Sequence, residues 1–397
     1  MAREMAPISL RPSFSQAARG KLAELSVEII REAGALERAV PSAVTREGIA
    51  ELLSGMNSYY SNLIEGVKTL PEEVESALRD GFAQQTQERD RQQLALAHIR
   101  VEREMREKLA GEGNASLHSP DFLRWIHATF YRDLPKTMRQ TETVGGNALP
   151  VEPGAFRDRG VTVGSHRPPE PGEVPGILGE FARYFEEADW VATDRLMVTA
   201  AAHHRLAWVH PFLDGNGRVA RLYSHACLIQ AKLDGAGLWS LSRGFARFRP
   251  RYYEALAAAD RTEPFEDRRR LSEEGLGTFS IYFLETLLDQ IQFMSHLLEL
   301  PEMAARLERY VHFELTPKRH GEALVRLLKA LYLEGEIVRG EVKVITGLRD
   351  TAAREVINLA FAQDLITSPT PKGKIRLAFP TKVLESYFPR LYLDLPL

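Results

Sequence analysis

The chain has 397 residues, 44% hydrophobic, 26% charged and 9% aromatic, with a formal net charge of −3. This near-average globular composition excludes a wholly disordered or collagen-like chain, and no apolar run approaches the ~18 residues that span a membrane; the length suits two or three domains at ~100–200 residues each. Cys227 is the sole cysteine, so an intrachain disulfide and a multi-cysteine zinc site are both impossible, and with no apolar signal segment in residues 1–14 a cytoplasmic setting is expected.

The first 110 residues read as helical. Ile49, Leu52, Leu53, Met56, Tyr60, Leu63 and Ile64 recur at steps of three and four, which predicts one apolar stripe on a helix over 45–65. Gly66 follows and suits a left-handed C-terminal cap. Further helices are expected over 72–78, after Pro71, and over 87–109, with 111–114 as a linker. Helical spacing resumes at Asp121. The stretch 150–175 then holds six prolines and four glycines, which no long helix tolerates. Inside it Val161, Thr162 and Val163 lie between Gly160 and Gly164 and predict a short strand in a hairpin or flap. Helices follow over 176–187, 194–209, 218–233, 249–259 and 278–298.

The last 82 residues have their own rhythm and carry 13 lysines and arginines against 9 acidic residues. Helices are expected over 321–333, 340–345 and 350–361, the last with Asp350 as N-cap. Residues 365–367 and 374–377 flank turn residues and predict a hairpin. Three helices and a hairpin make a winged helix-turn-helix arrangement. Its third helix offers Arg354, with Arg349 just before it, against Asp350 and Glu355. That is a thin basic footprint for reading DNA, so a protein-interaction or dimerisation role is favoured and DNA is left open.

One segment carries chemistry: His210-Pro211-Phe212-Leu213-Asp214-Gly215-Asn216-Gly217-Arg218-Val219-Ala220-Arg221. Pro211 ends one helix, and another begins near Gly217. The Gly215-Asn216-Gly217 turn lets successive N–H groups point into one concavity at a helix N-terminus, a ready anion site. Arg218 and Arg221 are three apart and project near one face, which suits a polyphosphate. Asp214 can hold a hard cation such as Mg²⁺, and a neutral His210 can take a proton from an attacking hydroxyl. His203 and His204 are adjacent on a helix, about 100° apart, and read as packing residues rather than joint metal ligands.

This segment resembles the Fic signature H-x-F-x-[D/E]-G-N-G-R-x-x-R at every fixed position, and the resemblance covers roughly residues 121–233. It implies a mostly α protein with a Fic-fold helical core, a β-hairpin flap at 161–166 that docks the target, and AMP transfer from ATP, with Mg²⁺, to a Ser, Thr or Tyr hydroxyl of a protein. It implies His210 as base, Gly215, Asn216, Gly217, Arg218 and Arg221 as nucleotide-binding residues and Asp214 as the metal ligand. Upstream, Ser61-Asn62-Leu63-Ile64-Glu65-Gly66 resembles the inhibitory motif [S/T]-x-x-x-E-[G/N] of Fic proteins whose inhibitory helix precedes the core. That pattern pairs Glu65 with Arg221, and Ser61 with Glu65 shares one helical face. Tyr252 and Tyr253 lie where related proteins line the adenine pocket. The expected division is 1–112, an N-terminal helical region with the inhibitory helix; 113–312, the Fic domain; and 313–397, the winged helix. Expected partners are ATP, a protein target that includes the chain itself, and a second copy of the chain, with no membrane. Two other readings stay open: a DNA-binding or nucleotide-sensing regulator, and a phosphodiesterase that removes AMP at the same site.

Overall fold

The computed structural model describes residues 8–111, 116–142, 148–186, 191–265 and 268–393. In chain order the elements are β1 (Ile8–Ser9), α1 (Gln16–Ala39), α2 (Ala43–Ile64), α3 (Pro71–Asp80), α4 (Thr86–Gly111), α5 (Pro120–Tyr131), β2 (Gln140–Glu142), β3 (Ala148–Pro150), α6 (Val174–Phe185), α7 (Ala192–Val209) and α8 (Asn216–Gln230). There follow α9 (Leu241–Arg247), α10 (Arg249–Ala259), β4 (Thr262–Phe265), β5 (Arg268–Leu271), α11 (Glu273–Leu298), α12 (Leu300–Arg309), α13 (Gly321–Glu334), β6 (Glu336–Ile337), α14 (Val342–Thr346), α15 (Asp350–Ala362), β7 (Ile366–Thr367), β8 (Ile375–Leu377) and α16 (Leu384–Tyr387). The fold is mostly helical, with three small sheets ordered β1-β5-β4, β2-β3 and β6-β8-β7.

Local chemistry sets the helix ends. Ser42 caps α2 by accepting from the Thr45 N–H, and Ser119 caps α5 by accepting from the Phe122 N–H, with Pro120 at the first helical position. At the other end of α2, Gly66 is left-handed (φ 83°). Its N–H donates to Leu63 O and that of Val67 donates to Asn62 O, a Schellman closure that leaves Glu65 as the C-cap residue.

Two hydrophobic cores form. One is built from α1, α2, α9 to α13 and the C-terminal elements, from Leu22 to Leu391. The other joins α4, α5, α6 and α8 around residues such as Phe130, Phe181 and Phe212. Helix α7 faces both: Leu196 and Ala200 lie in the first core, Ala202 and Leu206 in the second. Helix α2 belongs to the first core but abuts the second, so Met56 to Ile64 are buried on every side. The chain end is strapped to it. Tyr60 Oη donates to Leu391 O (2.9 Å) and accepts from the Leu393 N–H (2.7 Å). Arg243 of α9 donates to Arg390 O (2.7 Å), and Tyr392 packs its ring against Tyr59 and Tyr60.

Several sequence expectations need correction. Residues 161–163 form no strand: Val163 and His166 make one isolated antiparallel bridge, and the paired hairpin is β2–β3, upstream. Glycines on both sides let the chain turn too soon for a ladder to extend. Asp350 is not the cap of α15; Arg349 holds that position, and the Asp350 carboxylate pairs with Lys343 instead (3.1 Å). Helix α11 starts at Glu273 rather than 278, because Ser272 caps it through the Gly275 N–H. Gly275, which reads as a breaker, is there for closeness: a Cβ would run into the backbone of Ala258 and Ala259. The helix expected over 340–345 begins with a 3₁₀ turn at Arg339–Glu341 before α14. Helices α9 and α12 and the β1-β5-β4 sheet were not foreseen. Of the linker expected over 111–114, Gly111 ends α4 and the rest lies outside the described residues, as does residue 187.

Candidate active site

Helix α7 ends at Val209, and His210 takes the left-handed C-cap conformation (φ 49°, ψ 60°). The chain turns through Pro211, and Gly215, also left-handed (φ 78°), becomes the N-cap of α8. Asn216 locks this loop. Its Oδ1 accepts from the Phe212 N–H (2.9 Å) and its Nδ2 donates to Phe212 O (2.8 Å). The side chain is therefore spent on the turn, and what Asn216 has left for an anion is its backbone N–H.

The loop is seated on α5. Phe212 stacks on His127, ring centroids 4.1 Å apart. His127 Nδ1 accepts from the Gly154 N–H (2.8 Å), and Nε2 faces Asp214 O at 3.3 Å. Burial lowers the His127 pKa to about 4, so the ring is neutral and Nε2 carries the proton. Tyr131 Oη donates to Asp214 Oδ2 (2.6 Å). His127 and Tyr131 are site-building residues that the motif gives no hint of; their only sequence signal is the i, i+4 spacing on α5.

Both arginines of the loop are taken up by α2. Arg221, buried, donates Nε to Ser61 Oγ (3.0 Å) and Nη2 to Ser61 O (2.9 Å) and Glu65 Oε1 (2.6 Å). Arg218 donates Nε to Asn62 Oδ1 (3.0 Å) and lies over the Phe130 ring. Asn62 is a further residue that the sequence pattern passes over, since it occupies a free position. Burial raises the Glu65 carboxyl pKa, but Arg221 and Arg218 outweigh that and hold it below its ordinary range. The Glu65 side chain keeps 28% exposure, so one face meets solvent while the other meets the α8 N-terminus. A Cβ on Gly217 would overlap its Oε1. A carboxylate thus sits where the loop presents N–H groups and guanidinium, the environment that favours an anion.

His210 is neutral. Burial, then His166, then Arg157 push its pKa down to about 4, against smaller opposing effects of the Ala207 carbonyl and Glu65. A neutral imidazole can accept a proton. Asp214 is the one carboxylate in the loop, and among the described residues no group of three His, Cys, Asp or Glu side chains is placed to hold a metal ion. A single carboxylate with spare acceptor capacity beside Tyr131 suits Mg²⁺, whose other ligands are usually water and substrate phosphate. His203 and His204 do not join the site as ligands: His203 lies between Ser224 and Tyr252, and His204 faces Asp260. Tyr252 is buried; Tyr253 donates to Ile64 O at the end of α2 (3.1 Å).

The model of the Fic/DOC family matches residues 117–228, which contain the whole loop. The chain carries a Fic domain. Over 128 residues it is 32% identical to the protein adenylyltransferase Fic of Drosophila persimilis, covering 31% of this chain and 25% of that protein. The Drosophila melanogaster protein of the same name is 31% identical over 128 residues, covering 26% of its length. The chain thus spans about a quarter of these curated relatives. Among solved structures, a Fic family protein from Desulfovibrio desulfuricans G20 is similar over 93% of this chain and 98% of its own, with a TM-score of 0.54 and 18% identity. Fic-1 from C. elegans is similar over 68% of this chain and 72% of its own, with a TM-score of 0.50 and 19% identity. These likenesses show a Fic fold that takes in helices well outside the matched domain. No helix among the described residues is long and apolar enough to cross a membrane.

Proposed function

We propose that the chain transfers AMP from ATP to a Ser, Thr or Tyr hydroxyl of a protein, its own included, and that Glu65 restrains it. The observation that carries this reading is the Glu65–Arg221 pair laid across an intact His210–Arg221 loop. His210, neutral, takes the proton of the target hydroxyl. The hydroxyl oxygen forms a bond to the α-phosphorus as the bond to the bridging oxygen of the β-phosphate breaks, and pyrophosphate leaves. The N–H groups of Gly215, Asn216 and Gly217 and the guanidinium of Arg218 hold phosphate oxygens, so catalysis is chiefly positioning and charge stabilisation. Asp214 would hold Mg²⁺, which supplies charge neutralisation on the phosphates. While Glu65 keeps Arg221, the γ-phosphate lacks its partner and ATP rests with its α-phosphorus misplaced. We read the chain end, from α13 to α16, as a winged helix with a protein-contact role.

The test is incubation with ATP labelled at the α-phosphate, comparing the native chain with Glu65→Gly and Glu65→Gly/His210→Ala. Label on protein that rises in the first variant and vanishes in the second is expected. Label that falls in Glu65→Gly, with release of AMP from a pre-modified protein by the native chain, would instead assign AMP removal.

A further inference from the structure

An arginine just ahead of the flap does something that neither the signature nor the inhibitory motif describes. Arg157 is 3% exposed. Its Nε donates to His210 O (2.8 Å) and its Nη2 reaches Val209 O (3.5 Å). Its backbone N–H donates to Pro211 O (2.9 Å). One residue therefore holds three successive carbonyls, on either side of His210 and at it. The rest of its guanidinium turns back on the flap segment, to Arg159 O (3.2 Å) and Pro169 O. Among the described residues no carboxylate lies within ion-pair distance of Arg157; Glu170 and Glu173 favour its charge only from farther off.

Each feature has a physical reason. The last carbonyls of α7 lack intrahelical partners, and a cation is favoured at a helix C-terminus. A left-handed His210 is strained because it has a Cβ, and it persists where the surroundings over-determine it. A charge buried without a carboxylate is costly unless its hydrogen bonds are well met. His166, from the far side of the flap, adds to the same clamp by reaching Trp208 O (2.7 Å).

We propose that Arg157 is a positioning residue for the transfer reaction: it fixes the backbone of His210 in the left-handed turn and so aims the imidazole, and it binds that aim to the flap on which the target docks. Seating of the target strand and alignment of the base then share one guanidinium. The proposal rests on the reading of His210 as the base. The charged and titratable groups that face His210 are Arg157, His166 and Glu65; the Arg157 charge also helps to keep the imidazole unprotonated.

The experiment uses the full chain in the Glu65→Gly background, with Arg157→Ala and Arg157→Lys, and counts nucleotide-binding sites by calorimetry so that kcat refers to folded protein. Expected for Arg157→Ala is a kcat lower by ~10- to 100-fold with KM and Kd for ATP unchanged, and an acid limb of the kcat profile moved to higher pH, because the charge that depresses the His210 pKa is gone. Arg157→Lys keeps the charge but cannot span three carbonyls. Its acid limb stays in place while kcat recovers only in part. Should Arg157→Ala not fold, Arg157→Lys decides on kcat alone. Parental kcat per binding site in either folded variant overturns the proposal, as does a loss of ATP affinity that accounts for the whole effect. If the Glu65→Gly parent itself transfers no AMP, it is the functional reading that fails, not the clamp.

Discussion

At the scale of residues, the site sets one acid–base group against one ion pair. His210 has its pKa lowered to about 4, chiefly by burial, so it is the neutral imidazole, with one nitrogen free to accept, that exists near neutral pH. In the Glu65→Gly chain, transfer should therefore persist well below the ordinary histidine value of 6.5 and fall only as pH approaches about 4; rate profiles of kcat check this. His210→Ala should cost ~10²–10⁴-fold in kcat while ATP still binds. The Glu65–Arg221 bond is charge-assisted and partly desolvated, so displacing it should cost on the order of 1–3 kcal/mol. Self-labelling by Glu65→Gly should then exceed that of the native chain by roughly 5- to 150-fold. Arg221→Ala should not mimic it, since the γ-phosphate loses the same partner, and the double variant should resemble Arg221→Ala.

At the scale of elements, α2 is held to α8 and α4 by more than Glu65. Glu102 of α4, 2% exposed, accepts from Ser54 Oγ (2.7 Å) and from Asn57 Nδ2, both on α2, and His225 Nδ1 of α8 lies 3.4 Å away. Burial raises the Glu102 pKa, but His225, His98 and Ser54 together bring it down to about 2, so it is an ionised carboxylate shared by three helices. Glu102→Ala should lower stability to denaturant by about 1–3 kcal/mol, because buried donors lose their acceptor. Basal labelling should rise with it, because the missing tie is between α2 and α8. None of this was legible beforehand. The apolar stripe of α2 was, and so were Gly66 as its left-handed stop and the twelve-residue segment 210–221, because periodicity and glycine placement are local. Glu102 reads as one of many charges on a polar helix, and Arg157 cannot be told by sequence from Arg159, which is exposed and paired with Asp158. Asn62 and His127 matter through partners 156 and 87 residues away. Residues 161–163 read as a strand but make only one bridge, since alternation in three residues says nothing of how soon glycines turn the chain.

At the scale of the whole molecule, six of the eleven histidines sit where burial disfavours charge. His98, His118, His127, His203 and His204, like His210, have their pKa values lowered from 6.5 to about 4 or about 3. The unfolded chain therefore binds more protons between those values. Stability should be flat above pH 6.5 and decline as pH falls from there toward about 4, which denaturant titrations across that range would follow. The first core also ties residues 391–393 to α2. Tyr60 lies on that helix two residues before Asn62 and five before Glu65, and it grips Leu391 and Leu393, the latter 333 residues away in sequence. Reciprocity then applies to this single helix. If a nucleotide γ-phosphate competes with Glu65 for Arg221 and so loosens the last turn of α2, the tail feels whatever part of that free energy the helix transmits. The Leu393 amide, which donates to Tyr60 Oη, should exchange its hydrogen faster in the presence of ATP than in its absence, and should cease to respond to ATP in Glu65→Gly. On that outcome, residues 391–393 report whether nucleotide occupies the 210–221 segment.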